Sequence, residues 1–313
     1  LLVEKSPHLG GRCSHRLRGP HTVTTGAIMI PMAKQSAITE AFDLVGAPMN
    51  MIELTGRMRY RLANGDYDLP ESGRGLLGMI EFAHDGDDDG AAVLFKSFLK
   101  AMESIPGDHE TFRDWLEAKS DNANVKKLFQ GFCAALMGTN LHEIPAGEFF
   151  RFLTSSSRGS RFGMAAAGNG EMMGGLADAI VERGCTIWPS TSCVGIDIDE
   201  SGVTGVRLHS RDNGDITVSC HYVLSNTGPQ RTVKLVGGRK HFSAEYLEKL
   251  DAWPHEAPIF HISFVTKTPL IEDFDGCLVF GNTKNLIYME IPSLISPQLA
   301  TDGQYLHTAF GAP

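Results

Sequence analysis

Leu1-Leu2-Val3-Glu4-Lys5-Ser6-Pro7-His8-Leu9-Gly10-Gly11-Arg12 opens the chain with an apolar run that ends in an acid, followed by a Ser-Pro turn and two adjacent glycines before an arginine. Apolar residues bounded by turn formers read as a short buried strand over Leu1 to Glu4. An acid at the end of a strand in a dinucleotide fold accepts hydrogen bonds from ribose hydroxyls, ~20 residues beyond a glycine loop. Glu4 stands where such an acid would, and the glycine loop would lie before Leu1. Adjacent glycines let a pyrophosphate approach the backbone without a Cβ in the way, and the guanidinium of Arg12 is suited to pair with phosphate oxygens. Taken alone, the same residues also read as a strand ending in solvent and a Gly-Gly turn beside a surface arginine.

Further along, the spacing of Ile38, Phe42 and Val45 predicts a helix over 38–46. Phe112, Trp115 and Leu116, then Val125, Leu128, Phe129 and Phe132, predict two helical pieces between Asp108 and Leu136, so the middle third is expected to be mainly helical. The texture changes after Gly168. A helix over Glu171 to Glu182, closed by Gly184, leads to strands at Thr186 to Trp188 and Cys193 to Asp199. Turns at Glu200-Ser201-Gly202 and Asp212-Asn213-Gly214 set off two more strands, Val203 to His209 and Ile216 to Leu224, as a three-stranded meander. Strands are also expected at Ile259 to Thr266, Leu278 to Gly281, Leu286 to Ile291 and Tyr305 to Phe310.

The 28 Lys and Arg against 37 Asp and Glu give a net charge of −9, which argues against a phosphate-backbone binder and hence against a nucleic-acid partner. Six cysteines, Cys13, Cys133, Cys185, Cys193, Cys220 and Cys277, contain no C-x-x-C pair; the spacing suits reduced thiols in the cytoplasm and no zinc knuckle. No apolar run reaches the ~20 residues that cross a bilayer. The start without Met in an apolar run, and the stop at Phe310-Gly311-Ala312-Pro313, read as cuts at both ends.

Val3 to Arg12 resembles the strand, acid and G-G-R signature of phytoene desaturases and flavin-containing amine oxidases. Two later segments are similar to the same superfamily in the same order. One runs from Gly170 to Gly184 and on through Thr186-Ile187-Trp188-Pro189-Ser190-Thr191-Ser192-Cys193-Val194; the other is Val223-Leu224-Ser225-Asn226-Thr227-Gly228-Pro229. Phe112-Arg113-Asp114-Trp115-Leu116 also resembles a helical segment of the desaturase branch, whereas the likeness is poorest between Pro48 and Gly107.

The resemblance implies FAD as cofactor, held by Glu4, Lys5, Gly10, Gly11 and Arg12, with Val194 at the adenine, Ser225 and Asn226 close to the dinucleotide, and Gly26 toward the flavin. It implies an α/β fold in which an FAD-binding Rossmann-like domain, 1–47 and 165–240, is interleaved with an α+β substrate domain. That second domain would comprise a mainly helical part, 48–164, and a strand-rich part, 241–313. The implied activity is hydride transfer from an apolar substrate to flavin, with polyenes preferred to amines, no catalytic residue identified, and peripheral membrane contact a reasonable accompaniment of a lipidic substrate. A chain cut at both ends is expected to be inactive by itself. Rivals are a non-catalytic binding protein similar to Rab GDP-dissociation inhibitors and an NAD-dependent dehydrogenase.

Other patterns fail. Asp85-Gly86-Asp87-Asp88-Asp89-Gly90 opens like a calcium loop, yet its twelfth position is Lys96 where Glu is required, leaving a solvated acidic loop. Gly168-Asn169-Gly170 with Gly174 is one residue too long for a nucleotide loop and reads as a turn into a helix. His8, His15 and His21 lack the spacing of a metal site, Ser155-Ser156-Ser157 lacks a G-x-S-x-G elbow, and Met172 and Met173 read as core filling.

Overall fold

The structure, a computed structural model, describes residues 1–26, 28–54, 58–70, 75–156, 162–252, 258–271, 276–283 and 286–311. The first stretch carries β1 (Leu2–Val3), the hairpin strands β2 (His15–Arg18) and β3 (His21–Thr24), β4 (Met29–Ile30), α1 (Ala37–Val45), β5 (Met51–Glu53), β6 (Met58–Leu62) and β7 (Gly65–Asp68). A helical run follows: α2 (Gly75–His84), α3 (Asp88–Glu103), α4 (Phe112–Glu117), α5 (Ala123–Met137) and α6 (Ala146–Ser156). Next come β8 (Gly163–Ala165), α7 (Asn169–Glu182), β9 (Ile187–Trp188), β10 (Thr191–Asp199), β11 (Gly202–Ser210), β12 (Gly214–Ser219), α8 (Pro229–Leu235) and α9 (Ala244–Asp251). The last are β13 (Phe260–Thr266), β14 (Cys277–Phe280), β15 (Tyr288–Glu290), α10 (Pro292–Ile295) and β16 (Tyr305–Gly311).

The largest sheet has the order β13-β16-β15-β14-β6-β7, so strands near residue 60 are inserted beside strands beyond residue 276, with β6 parallel to β14. One face of this sheet packs on the helices. Asn122 starts α5 by accepting hydrogen bonds from the N–H groups of Asn124 and Val125, and Gly138 ends it at a φ of 66°. Between these caps Val125, Leu128, Phe129 and Phe132 recur at helical spacing and are buried. Phe98 of α3 lies at the centre of the layer, stacked on Phe129 at 4.9 Å and edge-on to Trp115 at 5.2 Å and Phe150 at 5.4 Å. Fully burying an aromatic of this kind stabilises the fold by about 1.5–3 kcal/mol.

Three expectations need correction. The opening strand is not buried, because Leu1 and Leu2 remain 54% and 39% exposed and β1 pairs only with the two residues of β9. The third meander strand stops at Ser219, the last residue paired to β11, and not at Leu224. Tyr222 and Leu224 stand in solvent without a ladder neighbour. The acidic stretch at Asp85 is also more ordered than a loop: Asp87 caps α3 by accepting from Gly90 N–H at 3.0 Å, and Asp88 and Asp89 occupy the first turn, where negative charge favours the helix dipole. Ser157 and the final Ala312-Pro313 lie outside the described residues. No helix among the described residues is long and apolar enough to cross a membrane.

Candidate functional site

Glu4 is positioned by backbone pairing at the end of β1. Its N–H donates to Trp188 O at 2.9 Å, and its own carbonyl accepts from Thr191 N–H, the first residue of β10, at 2.9 Å. The carboxylate accepts from Ser6 N–H at 2.7 Å through Oε1, which fixes the turn leading to the glycines. Ser190 N–H donates to Ser6 O at 2.9 Å and continues the clasp.

Gly10 and Gly11 both lie at positive φ, 90° and 54°, where side chains are strained. A Cβ on Gly10 would collide with Cys13 O and come within 2.9 Å of the Met173 side chain on α7, whereas a Cβ on Gly11 would enter open space. The loop is closed from the other side by Thr25, whose hydroxyl donates to Gly11 O at 3.0 Å, and by Gly26, where a Cβ would run into Arg12 O. Gly10, Gly11, Arg12 and Gly26 therefore form one backbone-built loop. Lys5 and Arg12 are exposed and have no ion pair among the described residues, so two cations stand free beside a glycine surface.

Val194 is the extra residue of a β-bulge. Cys193 pairs with Leu208 and Gly195 with Arg207, leaving Val194 without a cross-strand partner and 48% exposed. A bulge frees backbone groups for a ligand at a site where a regular ladder would use them. Ser225 and Asn226 precede α8, which packs on β10. The Ser225 hydroxyl bonds Thr232 Oγ1 at 2.7 Å and Thr227 Oγ1 at 3.1 Å, while Asn226 is exposed. The structure thus joins Glu4, Val194 and the α8 entry through β10, and joins the glycine loop to Gly26.

His15 was not expected to do anything, yet it organises the start of α7. Gly170 N–H donates to His15 Nδ1 at 3.2 Å, and the ring lies so close that a Cβ on Gly170 would meet it at 2.9 Å. Gly168-Asn169-Gly170 is the space this imidazole needs, and the turn reading of that segment stands. Burial lowers the His15 pKa, with Glu171 raising it and His8 lowering it further, which agrees with an unprotonated Nδ1 acting as acceptor. An open groove of about 390 Å³ runs along the same helix beside Asn50, Ala166, Gly168 and Glu171; it does not include Glu4 or Arg12, so cavity size alone points away from the residues expected to hold a dinucleotide.

The six-stranded sheet holds polar residues that local sequence pattern does not single out. Glu290 is fully buried, and its Oε2 accepts from Tyr288 OH at 2.8 Å, while the same hydroxyl lies 2.8 Å from Cys277 Sγ. Burial pushes the Glu290 carboxyl up to about 8, opposed by the Tyr288 hydrogen bond. All six cysteines are free, and among the described residues no group of His, Cys, Asp or Glu is arranged to hold a metal ion.

No family model matches this sequence, and no curated protein matches it. Solved structures do. An oxidoreductase from Methanosarcina mazei superposes with a TM-score of 0.85 over 99% of this chain and 72% of that one, at 18% identity. A putrescine oxidase redesigned in its cofactor binding superposes with a TM-score of 0.69 over 99% and 69%, at 14% identity. The chain shares the fold of these oxidoreductases. A protein from Pyrococcus furiosus also superposes, with a TM-score of 0.77 over 99% of this chain and 72% of that chain at 20% identity. At such identities the likeness is one of fold, and the chemistry must be argued from the residues above.

Proposed function

We propose that the chain binds FAD and serves an FAD-dependent oxidation of an apolar substrate, as in phytoene desaturases. The observation that carries this reading is the loop Gly10-Gly11-Arg12, held against Gly26, with open space above Gly11 where a side chain would intrude and with an unpaired guanidinium beside it. Such a cradle fits a pyrophosphate: backbone approaches closely, and Arg12 and Lys5 neutralise its charge. Glu4, as the ribose acceptor, retains Oε2 for this role while Oε1 fixes the turn. The bulge at Val194 offers backbone groups to the adenine, and Asn226 offers an exposed amide nearby on the same β10-linked assembly.

In this reading residues 1–47 and 165–240 hold the cofactor, and residues 48–164 and 241–313 form the substrate side. FAD, when bound, accepts a hydride from the substrate. This chain's own residues bind and orient the cofactor and its substrate. Amine oxidation is the second reading, favoured by the shared fold with a putrescine oxidase solved with putrescine bound.

The test is the absorbance spectrum of the purified protein reconstituted with FAD, followed by identification of the molecule released on denaturation. Stoichiometric FAD is the expected result. Absence of flavin overturns the proposal, and turnover of amines without polyenes shifts it to the second reading.

A further inference from the structure

Helix α7 begins without a side-chain cap of its own, because its N-cap residue is Gly168. A capping side chain ordinarily accepts from the N–H of the second or third helical residue. In α7 the second residue is Gly170, and its N–H donates at 3.2 Å to Nδ1 of His15, a residue of β2 that lies 155 positions earlier in the chain. The β2–β3 hairpin therefore supplies the missing cap. The glycines leave room for it: a Cβ on Gly168 would stand 2.6 Å from His15 Nδ1 and 3.1 Å from the Thr22 methyl on β3, and a Cβ on Gly170 would stand 2.9 Å from the ring. About one turn further along α7, the Met173 side chain comes within 2.9 Å of where a Cβ on Gly10 would be, so the same helix end also touches the glycine loop.

We infer that His15 is a proton-operated latch: the neutral imidazole caps α7 and fastens the β2–β3 hairpin to the helix, and the protonated ring releases the two from each other. Neutral imidazole has one N–H and one accepting nitrogen, so acceptance at Nδ1 puts the hydrogen on Nε2. A proton taken from water goes to Nδ1, the lone pair that Gly170 uses, and two N–H donors then face each other. The added positive charge also sits at the positive end of the dipole of a 14-residue helix. Both changes oppose the docked arrangement.

The surroundings keep the latch closed at neutral pH. From α7, Glu171 favours the charged ring; from the segment before the glycines, His8 opposes it; burial is the largest influence and lowers the His15 pKa from its ordinary 6.5. On β3, Thr24 stands across from His15, and His21 is at the far end of the ladder, opposite Arg18. On β2 itself Arg16 and Arg18 are exposed. A folded pKa below the unfolded one means that the latch stabilises the docked hairpin fully above pH 6.5 and is lost as pH falls through the lowered folded value. The bearing of the latch on a dinucleotide at Gly10-Gly11-Arg12 rests on the FAD reading; the latch itself does not.

The test is NMR of the imidazole nitrogens and amide hydrogen exchange on the whole chain without cofactor. At neutral pH His15 should be uncharged with its hydrogen on Nε2. As pH falls and the ring protonates, protection of the Gly170 N–H, corrected for the intrinsic exchange rate, should drop about tenfold. The Thr25 N–H, which closes the hairpin on Ser14 O, should lose protection over the same range. In His15→Asn, whose side-chain oxygen replaces Nδ1 as an acceptor that does not titrate, Gly170 should stay protected throughout. In His15→Phe, which fills the space of the ring without an acceptor, Gly170 should be unprotected throughout. The native chain beside His15→Asn carries the test if His15→Phe does not fold. A hydrogen on Nδ1 at neutral pH overturns the latch, as does native protection at Gly170 that falls no further than in His15→Asn. Loss at Gly170 with Thr25 unchanged overturns it too, since the hairpin would then stay docked. Failure to find flavin leaves every one of these readouts intact.

Discussion

The glycine loop near Arg12 and the aromatic layer around Phe98 are organised on opposite principles. The loop is held by backbone: positive φ at Gly10 and Gly11, carbonyls of Gly11 and Arg12 met by Thr25 and Gly26, and charged side chains left in solvent. The layer is held by burial, with Phe98, Phe112, Phe129, Phe149 and Phe150 withdrawn from solvent and in mutual contact. Stability resides in the layer, and the proposed dinucleotide recognition in the loop. Substitutions should therefore separate the two, one class unfolding the chain and the other leaving it folded but without its ligand.

The largest effect belongs to the layer. Phe98→Ala leaves a cavity among rings that cannot close over it, and should cost about 3–5 kcal/mol in chemical denaturation. A loss below 1 kcal/mol would show that the layer repacks freely and that the contrast is overstated.

Glu290 sharpens the comparison, because it is a polar group inside the buried region. Its folded pKa is raised to about 8 from an ordinary 4.5, so the folded state holds the proton more tightly than the unfolded state. The associated stability is complete below pH 4.5, is lost progressively as pH rises through 8, and is constant above that. Denaturation midpoints of Glu290→Gln should lack this slope and exceed those of the native chain at alkaline pH by the equivalent of a few kcal/mol.

Gly26→Ala lies on the loop side. Its Cβ would meet Arg12 O, and the backbone must shift, at a cost of about 1–3 kcal/mol. Weakened FAD binding should exceed what the lost stability explains, read by thermal unfolding with and without FAD. The smallest effect is expected at the exposed fork of Arg61 on Asp66, where Arg61→Ala should change stability by about 0.2–1 kcal/mol.

The parts of this fold that were legible are local ones. Gly202 and Gly214 mark the turns from which β11 and β12 start, and the apolar stripe of α5 is readable because its caps and periodicity lie within one short segment. The G-G-R loop was legible as a motif. What escaped depends on residues distant in sequence: His15 against the start of α7 and the parallel pairing of β6 with β14. Neither has a local signature, because packing and register between segments more than 150 residues apart decide which side chains meet. The hairpin of β2 and β3 was missed for another reason, since His15-Arg16-Leu17-Arg18 and His21-Thr22-Val23-Thr24 carry little of the apolar alternation that announces strands.

The most direct measurement is the FAD affinity of the native chain beside that of Arg12→Ala, by calorimetric titration on protein shown to be folded. The exposed guanidinium contributes little to folding, so the variant should stay folded while its dissociation constant rises about tenfold or more, the value of a lost charge-assisted hydrogen bond. Equal affinity in the two proteins, or no FAD uptake by either, would contradict the assignment of this loop to the dinucleotide.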